Sequence, residues 1–216
     1  MQPYIHAQAS ARQSGRVWQD DLEIHEFLDL AKHACPDLRH RLLLHNSDLG
    51  PELAALAFPD RIDAREIALM HVRQDLGWEP NLAAWLERFD PGKLPRAKRH
   101  RDTPADIVQA ATDHFGLSES TPVQMVWDML MLPTKLVPDY PEIAEFLLFN
   151  SVGPILSRAV FGPPRSLPKI GGGDTIVDFG WVAEGMIVSW VGAIHSLETV
   201  LRGFDAYEPK KATDCA

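Results

Sequence analysis

Three pairs of histidine and aspartate stand at helical spacing in the first half of the chain. His25 and Asp29 are four residues apart, His45 and Asp48 three, and His71 and Asp75 four. Such spacings put both members of a pair on one helix face. Neutral imidazole nitrogens and a carboxylate are divalent-metal ligands of the kind taken by Zn, Mn, Fe or Ni, and a second carboxylate can orient a ligating imidazole. An open coordination position would let such a site activate water for hydrolysis. The same residues can instead form a hydrogen-bonded polar network in which each aspartate orients a histidine. The spacing alone leaves both readings open, and with them the choice between a metal-dependent hydrolase and a non-enzymatic binding or assembly module.

His40 lies five residues before His45, about 140° away round a regular helix. It joins the candidate set of His25, Asp29, His45, Asp48, His71 and Asp75 only if the helix is irregular. His6, His100, His114 and His195 sit at element edges and read as structural or solvated, and His33 suits a helix C-terminus. Motif templates do not fit. The run His25-Glu26-Phe27-Leu28-Asp29 has Asp where a zincin needs its second His. No adjacent His-Asp doublet, Glu-x-x-His pair or Gly-x-Ser-x-Gly elbow is present. The Gly171–Gly173 run lacks the Lys-Ser/Thr of a phosphate loop.

The elements that must position these residues are helical. Apolar periodicity predicts helices over 21–34, over 41–44 and on to 58 with a disturbance at Gly50-Pro51, over 64–76 ending at Gly77, and over 81–89 with Asn81 as cap. Three prolines, a glycine and several basic residues then mark a linker over 91–104. Helical stretches resume over 105–115, 123–132, 142–161, 181–191 and 196–204. Two apolar runs around a glycine-rich turn predict a β-hairpin at about 165–179.

The order of elements repeats, and so do residues. The stretch 42–58 aligns with 146–161 with one residue dropped, keeping Leu-Leu, Asn-Ser, Gly-Pro and a closing Phe. The stretch 71–90 aligns without a gap with 186–205, keeping Gly77/Gly192 and a Leu-x-x-Phe-Asp ending. The expected architecture is all-α: two tandem, pseudo-symmetric helical bundles (1–90 and 105–205), a small hairpin, and a polar tail over 206–216. In the second copy Trp127, Phe149, Met186 and Trp190 stand where the first has His25, His45, His71 and Asp75. Large apolar residues there imply that these positions face inward in both copies.

Composition bounds the remainder. The chain has 216 residues, 45% of them hydrophobic, and a formal net charge of -9. That charge argues against nucleic acid, whose phosphates call for clustered Lys and Arg. The N-terminus lacks a signal-peptide apolar stretch, and no apolar run reaches the roughly 18–20 residues of a membrane span. Two cysteines, Cys35 and Cys215, without metal-type spacing suit a reducing, cytoplasmic setting. A homo-oligomer is the partner expected.

The run HAQASARQSG, then IHEFLDLAKHACPDLRHRLLLH, then HVRQDLGWEPNLAAWLERF resembles a small bacterial and phage domain of unknown function. The resemblance covers about residues 6–89 and implies shared polar positions at His6, His25, Asp29, Lys32, Asp37, His40, His45, His71 and Asp75. Asn46 stands where that pattern has a second adjacent histidine. The resemblance implies a site and supplies no activity.

Overall fold

The structure is a computed structural model that describes residues 2–96 and 102–204. Part of the expected linker (97–101) and the expected polar tail (206–216) lie outside the described residues. The fold is all-α with one small hairpin, and the described residues divide into two compact units, one made of 2–92 and 201–204 and the other of 93–96 and 102–200.

The first unit contains α1 (Pro3–Ser14), α2 (Trp18–Leu28), α3 (Arg41–Leu44), α4 (Leu49–Ala57), α5 (Ala64–Leu76) and α6 (Leu82–Leu86). Short 3-10 turns at Leu30–His33 and Leu38–His40 connect α2 to α3. Helices α1, α2 and α5 pack on one another, and α4 packs on α2 and α5. Ile24, Leu28, Leu42, Leu43, Leu44, Leu49, Leu53, Ile67 and Leu82 fill the core.

Helix α1 is absent from the sequence reading, for a physical reason. It starts on Pro3, whose fixed φ suits a first helical turn, and it is rich in alanine. Its buried residues are His6, Ala7 and Ser10, so its inward face carries almost no apolar signal for periodicity to detect.

The second unit contains α7 (Pro104–Phe115), α8 (Thr121–Leu130), α9 (Leu132–Leu136), α10 (Pro141–Leu148), α11 (Val152–Phe161), the strands β1 (Arg165–Pro168) and β2 (Asp174–Val177), α12 (Phe179–Val191) and α13 (Leu197–Leu201). The strands pair antiparallel with Arg165 opposite Val177 and Pro168 opposite Asp174. Thr103 and Asp106 close a reciprocal capping box on α7. Among the described residues no single helix is long and apolar enough to cross a membrane.

Two expected long helices are each broken. The stretch through 41–58 divides into α3 and α4 at His45–Asp48, and 142–161 divides into α10 and α11 at Phe149–Ser151. Gly50-Pro51 is not the break; it lies in the first turn of α4, where proline costs no hydrogen bond. The same buried asparagine makes each break. Asn46 Nδ2 donates to the carbonyls of Leu42 and Leu43, at 3.0 and 3.2 Å, while its Oδ1 accepts from the amides of Asp48 and Leu49, at 3.1 and 2.6 Å. Asn150 Nδ2 donates to Phe146 and Leu147, and its Oδ1 accepts from Val152. One side chain thus satisfies the last carbonyls of one helix and the first amides of the next.

The sharp turn also brings the chain back onto itself. A Cβ on Gly50 would collide with the carbonyl oxygen of Leu44, and one on Gly153 with that of Leu148, so only glycine fits. In both units the turn is tied to the start of the last helix. The Ser47 amide donates to Pro80 O and the Leu82 amide to Asp48 Oδ2; likewise the Ser151 amide donates to His195 O and the Leu197 amide to Ser151 Oγ.

These turns predict a selective loss of stability. Asn46→Ala strands two carbonyls and two amides in the core, at about 1–3 kcal/mol for each group left without a partner. Urea denaturation should show Asn46→Ala and Asn150→Ala each losing at least about 2 kcal/mol, while Asn81→Ala, which removes only an exposed cap to Ala84, loses about 1.

Candidate functional site

Five segments of the first unit meet at one buried point. Helix α1 brings His6 and Ser10, α2 brings His25, the end of α2 brings Asp29, the turn after α3 brings His45, and α5 brings His71, Gln74 and Asp75. His6, Ser10, His25, His45 and His71 have no solvent exposure, and Asp29 is 6% exposed. Asp29 lies where α2 gives way to a 3-10 turn, and His45 where α3 ends with φ -100° and ψ 57°. Both helix ends are needed to aim these two side chains at α5.

The imidazoles form a chain. Ser10 Oγ is 3.1 Å from His25 Nε2, His25 Nδ1 is 2.9 Å from His71 Nδ1, and His71 Nε2 is 3.0 Å from His45 Nε2. Carboxylates flank its inner end. His45 Nε2 lies 3.2 Å from Asp75 Oδ2 and 3.6 Å from Asp29 Oδ1, and His71 Nε2 lies 3.8 Å from the same Asp29 oxygen. One atom each from Asp29, His45 and His71 falls within 4.8 Å of the others. Among the described residues, this is the group of His, Cys, Asp and Glu able to hold a metal ion.

Cations stand behind the carboxylates. Lys32 pairs with Asp29 across one turn, and Arg41 Nη2 reaches Asp75 Oδ2 at 2.9 Å. Burial sets the protonation of the histidines. It pushes His25 down to about 3, helped by His6, and His40 to about 4. His71 lies well below the usual value through burial and its histidine neighbours, and His45 is lowered by burial against the pull of Asp75 and Asp29. Burial alone would raise the Asp75 carboxyl, but hydrogen bonds from His45 and His6 and the charge of Arg41 outweigh it and hold Asp75 below the carboxylate range. At neutral pH the site therefore offers uncharged imidazoles and a charged carboxylate, the forms a metal requires.

Of the seven sequence candidates, His25, Asp29, His45, His71 and Asp75 come together. Asp48 does not join them. Its carboxylate accepts from the Ser47 hydroxyl and the Leu82 amide, which makes it a turn-tying residue. His40 is at the margin: its Nδ1 is bonded to the carbonyl of Asp37, its ring meets that of His45 edge-on at 5.8 Å, and its Nε2 is buried with no hydrogen-bond partner. His25 reaches the cluster through His71 and makes no contact with Asp29 at metal-ligand range.

His6 is the correction in the other direction. Read from sequence as structural or solvated, it is wholly buried, with its ring 4.4 Å from that of His71, its Nδ1 2.8 Å from Gln74 Oε1 and its Nε2 3.4 Å from Asp75 Oδ1. Ser10, Arg41 and Gln74 were also missed as partners, while Lys32, like His6, was indicated only by the family resemblance. A His and a Ser four apart flanking buried Ala7 was the available signal in α1.

The second unit has aromatics at the aligned positions. Trp127 meets Phe149 at 5.6 Å and Trp190 at 5.3 Å, both edge-on, and Met186 is fully buried. Where Arg41 pairs with Asp75 in the first unit, Glu145 at the aligned position accepts from the Trp190 indole.

The depressed histidines predict acid sensitivity of the metal-free chain. Unfolded, each titrates near 6.5; folded, His25 and His40 titrate near 3 and 4. Protons are then taken up on unfolding below pH 6.5, so stability is fully present above that pH and lost as pH falls. Denaturation series from pH 7.5 to 4.5 should show a loss steepening toward about 1.4 kcal/mol per pH unit for each such histidine. His71→Met, the residue of the second unit, should flatten the slope.

No curated protein and no solved structure matches the chain. The half that carries the cluster does match a family: residues 1–94 fit the model of a Domain of unknown function (DUF6915).

Proposed function

We propose that the first unit binds a divalent metal through Asp29 Oδ1, His45 Nε2 and His71 Nε2, and that the centre serves metal-assisted hydrolysis. The convergence of those three buried atoms carries this reading. Their separations of 3.0, 3.6 and 3.8 Å bracket the edge of a tetrahedron, about 3.3–3.4 Å when ligands sit about 2.0–2.1 Å from zinc. A facial octahedral set with similar bonds has edges of about 3 Å, and two of the three observed exceed it. Two imidazoles, a carboxylate and an open fourth position are the donor set of catalytic zinc, which when bound lowers the pKa of water.

The surrounding residues support it. A ligating Nε2 on His71 leaves the proton on Nδ1, which then donates to His25 Nδ1. His25 Nε2–H in turn donates to Ser10 Oγ, so His25 and Ser10 hold the His71 tautomer and ring. Asp29 Oδ2 is buried without a hydrogen-bond partner. Asp29 also lines a cleft of about 500 Å³ with Tyr4, Trp18, Leu22, Glu26 and His33, which supplies an approach from solvent. Lys32 and Arg41 beside a dication would favour an anionic ligand. In this reading the second unit is a structural copy. Its matching Asn and Gly turns support duplication, and its aromatic cluster fills the place of the site.

The histidine contacts of 2.9 and 3.0 Å favour a second reading, a purely structural hydrogen-bonded network. Elemental analysis of the untagged chain after dialysis against Zn(II), Mn(II), Fe(II) and Ni(II) separates the two. Zinc should be retained, and His71→Ala, His45→Ala and Asp29→Asn should each abolish retention, while Asp48→Asn leaves it unchanged. A chain that retains none of the four metals is a structural network.

A further inference from the structure

We propose that His40 is a positioning residue of the metal centre: its Nε2 accepts the Nδ1 proton of His45 and so holds the ring that presents Nε2 to the metal. This rests on the reading of Asp29, His45 and His71 as a metal site.

The orientation of His40 is set by its own turn. Asp37 caps the 3-10 segment Leu38–His40 by accepting from the Arg39 amide, and the Arg39 guanidinium grips both oxygens of the same carboxylate. The carbonyl of Asp37 is bonded to His40 Nδ1. A carbonyl oxygen only accepts, so Nδ1 carries the proton, and in the uncharged ring Nε2 is a lone pair. His40 is 3% exposed, and this nitrogen is buried with no hydrogen-bond donor.

His45 supplies the complement. With Nε2 taken by the metal, its proton sits on Nδ1. That nitrogen is also buried without a partner, and His45 has no solvent exposure. The centre thus holds a donor that lacks an acceptor and, on the adjoining ring, an acceptor that lacks a donor. The two rings stand at the ends of α3, a single turn between the 3-10 segment and the break at His45. On a regular helix these positions point apart; here the ring centroids are 5.8 Å apart, with the planes at 80°. The His71 and His45 rings, inclined at 62°, are hydrogen-bonded with centroids at 4.8 Å, so an edge-on approach admits such a bond. The gap between His40 and His45 is wider. A swing of the His45 ring about its metal bond, or one shared water, bridges it.

The rival arrangement puts the His45 proton on Nε2, donated to Asp75 Oδ2 at 3.2 Å, and leaves Nδ1 bare. His40 is then a packing residue.

Zinc affinity of the untagged full chain, measured by competition with a chromophoric chelator, separates the two. His40→Leu, which keeps the bulk and removes the acceptor, should weaken Zn(II) binding by about 10–100-fold. His40→Gln, whose Oε1 can take the place of the lone pair, should bind close to the wild type. Equal affinity of His40→Leu and the wild type would overturn the role of His40 and leave the metal site standing. A wild-type chain that takes up no zinc would overturn both. Should the variants fail to fold, imidazole nitrogen NMR of the wild-type zinc form decides. His40 and His45 should each carry their proton on Nδ1, and a proton on His40 Nε2 would overturn the proposal.

Discussion

The constraint on which the first unit depends is the burial of a polar cluster without a matching set of protein donors. His6, His25, His45 and His71 are fully shielded from water, and Asp29 and Asp75 sit against them. An unpaired buried carboxylate or imidazole costs too much to persist in an apolar core. Each member therefore has to find another: imidazole to imidazole through the chain from Ser10 to His45, carboxylate to Lys32 or Arg41. The helices are arranged around that requirement. Helix α1 contributes almost nothing apolar and is held by His6 and Ser10 instead.

The breaks at His45–Asp48 and Phe149–Ser151 follow from the same need for a defined geometry. A continuous helix through 41–58 would carry His45 on along a regular surface. Asn46 stops it, satisfies the exposed backbone groups, and leaves His45 at an irregular position aimed at α5. The second unit keeps the turn and fills the space with Trp127, Phe149 and Trp190. Scaffold and chemistry are therefore separable: the same turn supports a polar cluster in one unit and an aromatic core in the other.

Much of this was legible in the chain itself. Spacing put His25 with Asp29 and His71 with Asp75 on common helix faces, and comparison of the halves indicated that they point inward. Helix-end signals such as Gly77 and Asn81 were local and were read correctly. The hairpin was equally local, two short runs around three glycines. Helix α1 was illegible because periodicity detects apolar faces, and its buried face is polar.

By itself the sequence determined the residue types, their helical spacing and the direction of the polar face, because these depend on contacts within a turn or two of backbone. Only the tertiary structure decided membership. Asp48 and His45 are three residues apart, yet the α3–α4 turn sends one to the Leu82 amide and the other to His71. His6 and Asp75 are 69 positions apart and face each other at 3.4 Å. Such pairings depend on how α1, α2 and α5 pack, and no local spacing rule encodes the meeting of three helices at one buried point.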